Sequence, residues 1–304
     1  MTGAARRDFS ILLPFIVFTT IWGSTWLIIR NQLGVVPPQW SVAYRFALAA
    51  LAMAAVARLQ GHSLRPNREL VKAAGVIGVT QFCINFNCVY LAERHITSGL
   101  VATVFALLLI PNSLLAWAFL GQRPGSRFLA SGAIAVGGIA LLFLHELHDN
   151  RALATQIGIG IALTIAGLLS ASTSNVYQAL ERVRHHPLPV LLAWSMGLGA
   201  VADALLSAIV AGAPRFDPRP EYWFGLTYLA LAASVLAFSL YFPIVRRIGP
   251  GKAAYSSVLV PIIAMALSTA FEGYRWTLLA GAGATLALGG MVLALGGRGR
   301  TIPR

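Results

Sequence analysis

The stretch from Ile96 to Leu142 returns, with its signals in the same order, as Ile248 to Leu295. In each copy a glycine (Gly99, Gly251) opens an apolar run, a proline (Pro111, Pro261) sits near its middle, and a second apolar run carries a glycine pair (Gly137 and Gly138; Gly289 and Gly290). Upstream, Glu69, Tyr90, Arg94 and Ile96 recur as Glu221, Phe242, Arg246 and Ile248, each 152 residues on, and Pro37 and Tyr44 recur as Pro187 and Trp194 at an offset of 150. The chain is a duplication, and any fold assigned to it has to accommodate two similar units.

With 57% hydrophobic and 11% charged residues, the chain has too little polar material to clothe a water-soluble globule of 304 residues. A helix crosses the hydrocarbon of a bilayer with about twenty apolar residues, and ten such runs are legible, five in each copy. The expected fold is an all-α polytopic membrane protein with ten transmembrane helices arranged as two inverted five-helix repeats. Residues 1–144 form the first unit, 145–155 an external connecting loop and 156–304 the second unit. Inversion follows from parity, because an odd number of spans per copy makes the second copy enter from the opposite side. The net charge of +13 reads as topology rather than as a nucleic-acid footprint. Sixteen of the 23 Lys and Arg fall on the side of the N-terminus, six on the other, and Arg45 within a span. That bias places both termini in the cytoplasm of a bacterial-type inner membrane.

The N-terminal Arg6-Arg7 pair imitates an export signal, but the apolar run behind it is long enough to span and leads to nine more spans. That first run holds Ile21-Trp22-Gly23-Ser24-Thr25-Trp26; Arg45-Phe46 follows in the second, and a proline-bearing fourth run ends in Phe119-Leu120-Gly121-Gln122. With these motifs in this order, over nearly its whole length, the chain resembles the EamA-type transporters of the drug/metabolite transporter superfamily. The resemblance implies a two-bundle fold that exports amino acids or similar metabolites. Gln122 stands where that family usually has glutamate, which the second copy keeps as Glu272.

Polar residues inside spans mark candidate cavity walls, because in hydrocarbon they must face protein or water. In the third span Gln81, Asn85 and Cys88 share a helical face, with Tyr90 nearby; in the sixth, Ser170, Thr173, Ser174, Tyr177 and Gln178 do the same. Packing glue is the competing account for these stripes. Trp22, Trp26, Tyr241 and Tyr255 add aromatic surface, and Asn112 follows Pro111 directly. Pro111 and Pro261 each free a backbone carbonyl one turn earlier, and act either as paired hinges or as static bends. If they are hinges, Pro111→Ala or Pro261→Ala slows transport more than it weakens substrate binding; equal effects favour static bends. Arg45 and Asp203 are the charged pair well within spans. Arg45 either holds a substrate carboxylate or an outer gate, or serves structurally by anchoring loops or pairing with Asp203, the structural role being the expectation.

All six histidines lie outside the spans, and neither a HExxH motif nor a P-loop is present, so the chain reads as no enzyme, with no metal and no cofactor. Cys83 and Cys88, five apart on one helix, point in different directions and form neither a disulfide nor a metal pair. A cavity of rings, amides and hydroxyls without fixed charge suits a zwitterion. The expected function is export of neutral, aromatic or hydrophobic amino acids by alternating access, the partners being a small-molecule substrate and lipid, with the chain a monomer or homodimer. A broad drug or metabolite exporter and a membrane receptor that binds without transporting are the alternatives.

Overall fold

A computed structural model describes residues 3–149, 154–253 and 256–295, and among them every regular element is helical. The first half comprises α1 (Gly3–Gln32), α2 (Pro38–Leu59), α3 (Arg68–Ile77), α4 (Asn85–Ala92), α5 (Ser98–Phe105), α6 (Leu109–Leu120) and α7 (Ser126–Asp149). A π-helical turn, Gly78–Ile84, joins α3 to α4, and a 3₁₀ turn, Ala106–Leu108, joins α5 to α6. The second half comprises α8 (Ala154–Ala179), the short α9 (Glu181–Arg184), α10 (Leu188–Val210), α11 (Pro220–Ala230), α12 (Ala237–Ile248), the short α13 (Pro250–Ala253), α14 (Ser256–Phe271) and α15 (Leu278–Leu295). Here too a π-helical turn, Leu231–Leu236, interrupts the third long segment.

Local chemistry accounts for the boundaries. Pro38 and Pro220 occupy first helical positions, where a missing N–H costs nothing. The Asn67 side chain caps α3 by accepting from the Leu70 N–H at 2.7 Å. Gly121 ends α6 at φ +69°, a left-handed conformation that favours glycine. α7 runs to Asp149, through residues expected to be loop, because Phe143 to Asp149 contains no proline or glycine to stop it. The 3₁₀ turn at 106–108 lies just ahead of Pro111, where the proline ring disfavours regular α-helical bonding.

Seven helical segments among the described residues are long and apolar enough to cross a membrane: Leu13–Gln32, Pro38–Leu59, Arg68–Ala92, Ser98–Leu120, Ala154–Ala179, Leu188–Val210 and Pro220–Arg247. Three shorter apolar helices, Ala130–Leu141, Leu259–Phe271 and Leu278–Gly290, accompany them. Large apolar side chains such as Leu51, Leu59, Ile209, Phe224 and Leu278 stand on the outside, a surface that water would penalise and lipid would not.

Contacts between the halves reciprocate. α2 packs along α10 and α7 along α15, like against like, while α1 lies on α12 and α14 as α8 lies on α4, α5 and α6. Where α7 meets α15 the backbones nearly touch. A Cβ at Gly138 would lie 2.4 Å from the Ala287 nitrogen, and one at Gly290 would lie 2.6 Å from the Ala135 nitrogen. The close approach therefore uses Gly138 and Gly290 rather than Gly137 and Gly289, which face open space.

Candidate functional site

Between the halves lies a cavity of about 100 Å³, walled by α1, α2, the first π-helical turn, α4, α5, α8, α12 and α14. Its floor is aromatic. Trp22 packs edge-on against Phe18 (5.2 Å between centroids), Phe238 (5.3 Å) and Tyr241 (4.9 Å), and Trp26 leans on Phe105 at 5.5 Å. Helical periodicity puts Trp22, Thr25, Trp26 and Ile29 on this one face of α1.

The two π-helical turns hold the wall together. A π turn breaks the regular ladder and releases carbonyls, and each turn is met by the first helix of the opposite half. Trp22 Nε1 donates to the Ala233 carbonyl at 3.1 Å, and Ser170 Oγ donates to the Thr80 carbonyl at 2.7 Å. Arg45 reaches the second turn as well, its Nε donating to Ser234 Oγ at 3.1 Å. Its guanidinium lies over the Phe86 ring at 4.3 Å and the Phe46 ring at 5.1 Å.

Several buried polar atoms on this wall have no partner: Arg45 Nη1 and Trp26 Nε1 as donors, Gln81 Oε1 and Asn85 Oδ1 as acceptors. Buried polar groups are ordinarily satisfied, so orphans gathered around one cavity indicate a site that a polar ligand completes.

Of the residues singled out from the sequence, Trp22, Trp26, Gln81, Asn85, Tyr241, Pro261 and Arg45 line the cavity. Tyr90 does not; it is fully buried beyond the cavity, where its hydroxyl donates to Gln32 Oε1 at 3.1 Å. Asn112 sits behind the wall, accepting at 3.5 Å from Asn175, which does line it. Pro111 is half-buried and off the cavity. Tyr255 lies outside the described residues.

No residue of the polar stripe on α8 lines the cavity; its neighbours do. Ala171 and Asn175 face the cavity, whereas Ser174 and Gln178 are buried away from it, Thr173 is exposed, and Tyr177 stacks under Arg182 at 5.7 Å. Packing rotates the cavity face of α8 by about one residue from the face richest in polar groups.

Two further expectations are corrected. Arg45 and Asp203 do not pair, because Asp203 Oδ1 accepts from Asn87 Nδ2 at 2.6 Å while Arg45 turns into the cavity. The cavity consequently carries a fixed positive charge, although the motif pattern suggested none. Phe86, Phe238 and Val89 are wall residues the sequence reading missed. A signal for them existed: the 152-residue offset maps Phe86 onto Phe238 and Val89 onto Tyr241, and all four line the cavity.

One end of the bundle is latched. Ser98 Oγ donates to Glu272 Oε2 at 2.6 Å, the Ser98 N–H reaches Oε1 at 3.4 Å, and Arg30 Nε stands 3.8 Å from Oε1. A carboxylate at the start of α5 complements the helix dipole. Gly99 makes the contact tight, since a Cβ there would meet Met265 Sδ at 2.6 Å. The repeat-related position at the opposite end is Gln122, whose Oε1 would lie 2.8 Å from a Cβ on Gly249. The two closures are thus built alike, with a charge at one end and a neutral amide at the other.

Comparison with known proteins agrees with this architecture. The sequence pattern of the EamA-like transporter family matches residues 9–144 and again residues 158–296. The inner membrane transporter YedA of Escherichia coli K12, described as uncharacterized, is 28% identical over 261 residues, covering 83% of this chain and 80% of its own. A probable amino-acid metabolite efflux pump of Salmonella typhimurium is 25% identical over 302 residues, covering 95% of both chains. Protein PagO of Salmonella typhimurium is 25% identical over 277 residues, covering 88% of this chain and 87% of its own. One solved crystal structure superposes with a TM-score of 0.66 at 18% identity, covering 94% of this chain and 96% of that one, and shares its fold.

Proposed function

The chain belongs to the EamA-like transporter family of membrane transporters, and from that premise we propose that it exports neutral, aromatic or hydrophobic amino acids, or close metabolites, by alternating access through the central cavity. One observation carries the reading: a cavity walled by both halves gathers unpartnered donors and acceptors beside aromatic rings. A zwitterion with an apolar side chain satisfies such a wall, since donors take its carboxylate, acceptors and ring faces its ammonium, and the rings its side chain. A relative described as a probable amino-acid metabolite efflux pump supports the substrate class. A likeness in overall design to the amino-acid exporter YddG, read from the sequence, points the same way.

The proposed architecture is ten spans in two inverted five-helix units, residues 1–144 and 156–304, around a connection at 145–155. Reciprocal packing of the halves and π-helical turns at matched places, 78–84 and 231–236, favour that pseudo-two-fold. Both termini are placed in the cytoplasm by the charge bias, so that the Glu272 latch lies outside and Gln122 inside. The halves rock about the cavity, with Pro111 and Pro261 as bends and the latch as the outer closure.

Proteoliposomes of the full chain preloaded with unlabelled leucine or tryptophan are expected to accumulate the labelled amino acid transiently by counterflow. Binding without any flux would make the protein a receptor. Counterflow of unrelated cations or sugars at equal rates would make it a broad exporter.

A further inference from the structure

We infer that Arg45 is the carboxylate anchor of the cavity, so that the transported molecule is a small organic carboxylate with an apolar or aromatic body. The inference rests on the exporter reading and narrows its substrate. Arg45 is 1% exposed and its guanidinium is permanently charged at any physiological pH. Taking such a charge out of water is costly unless it is paired. Here one donor, Nε, goes to Ser234, the face of the group rests on Phe86, the Tyr90 hydroxyl on its far side also interacts with it, and Nη1 has no partner.

No acid answers it. Among the described residues Arg45 takes part in no ion pair, and the cavity wall contains no Asp or Glu. Asp203 is engaged by Asn87, and Glu93 reaches Arg45 only as a longer-range charge. A ring face attracts the cation but accepts no N–H bond in the plane of the fork, which is the geometry a carboxylate fits. Trp26 Nε1 offers a second unpartnered donor to the same cavity. Gln81 Oε1 and Asn85 Oδ1 supply acceptors for an ammonium group, so α-amino acids satisfy both sets, while the carboxylate remains the group that offsets the buried charge.

The test compares four probes that differ in one group: leucine, 4-methylpentanoate (no ammonium), leucinamide (no carboxylate) and 3-methylbutylamine (no carboxyl carbon). Each is scored as a competitor of labelled leucine counterflow by the full-length protein in liposomes, at fixed chloride. The expected result is that 4-methylpentanoate competes and that leucinamide and 3-methylbutylamine are weaker than leucine by at least about tenfold, because each leaves the buried Arg45 donors without a carboxylate. Arg45→Lys is expected to keep the order of the probes with weaker competition, and Arg45→Gln to abolish it. Leucinamide competing as well as leucine, in wild type alone and with no variant needed, overturns the anchor and leaves the exporter reading standing. The same holds if Arg45→Gln folds and retains the preference for carboxylates. Wild-type protein that exchanges neither leucine nor 4-methylpentanoate overturns both.

Discussion

Alanine at Gly138 or Gly290 is expected to destabilise the protein more than alanine at the neighbouring glycines, by about 1–3 kcal/mol, the usual range for overpacking a tight contact. The reason lies in what the new methyl meets. At Gly138 the atoms are the Ala287 nitrogen at 2.4 Å and the Gly283 carbonyl oxygen at 2.7 Å; at Gly290 they are the Ala135 nitrogen at 2.6 Å and the Ser131 carbonyl oxygen at 2.8 Å. These are backbone atoms, which cannot swing aside as a side chain would, so α7 and α15 must separate. Within a bilayer that separation is serious, because lipid tails are as apolar as the helix and close packing is what drives association. Gly137 and Gly289 are the internal controls. Nothing lies within 4 Å of a Cβ at either one, and alanine there gains helix propensity, worth about 1 kcal/mol. Thermal unfolding of purified protein in detergent reads the four variants side by side. Equal midpoints for the Gly137→Ala and Gly138→Ala variants would remove the proposed backbone contact.

Raising the pH should loosen the Glu272 end of the bundle, and Glu93→Gln should remove that response. Glu93 follows directly on the third apolar segment, is 0% exposed, and has no hydrogen-bond partner at either carboxylate oxygen. Burial holds its carboxyl well above the ordinary glutamate range; the Glu272 charge adds to the rise, and Arg30 and Arg45 oppose it. The folded protein therefore holds this proton more tightly than the unfolded chain does. Its stabilising contribution is complete below the ordinary glutamate range and is lost as pH climbs through the raised value. Thermal midpoints measured from about pH 5 to about pH 9 should fall for the wild type and fall less for Glu93→Gln. A flat wild-type profile, or an unchanged slope in the variant, would show that water or a partner already satisfies the ionised group.

Particular residues show how far the chain could be read without coordinates. The duplication was legible because matched glycines, prolines and arginines survive at offsets of 150 and 152. Trp22, Trp26, Gln81 and Asn85 could be picked out as cavity residues because polar and aromatic groups inside an apolar helix have few other uses. Ser174 and Gln178 were misplaced for the same reason: a polar face on a single helix records that it avoids lipid, not which neighbour it meets. The π-helical turns at Gly78–Ile84 and Leu231–Leu236 left no comparable mark, since no residue type announces them. Glu93 escaped notice because a glutamate at the end of a span normally faces water.

From the sequence alone came the number of apolar runs, their grouping into two related sets and the side on which positive charge gathers, all of which depend on composition and order along one strand of chain. Tertiary structure alone decided that Arg45 turns toward the cavity while Asp203 turns to Asn87, that Gly138 and Gly290 rather than their neighbours carry the close crossing, and that Glu93 is buried. Those outcomes depend on how helices are rotated about their own axes when two halves pack together. A rotation of one residue, about 100° around a helix, exchanges lipid for cavity without altering a single letter.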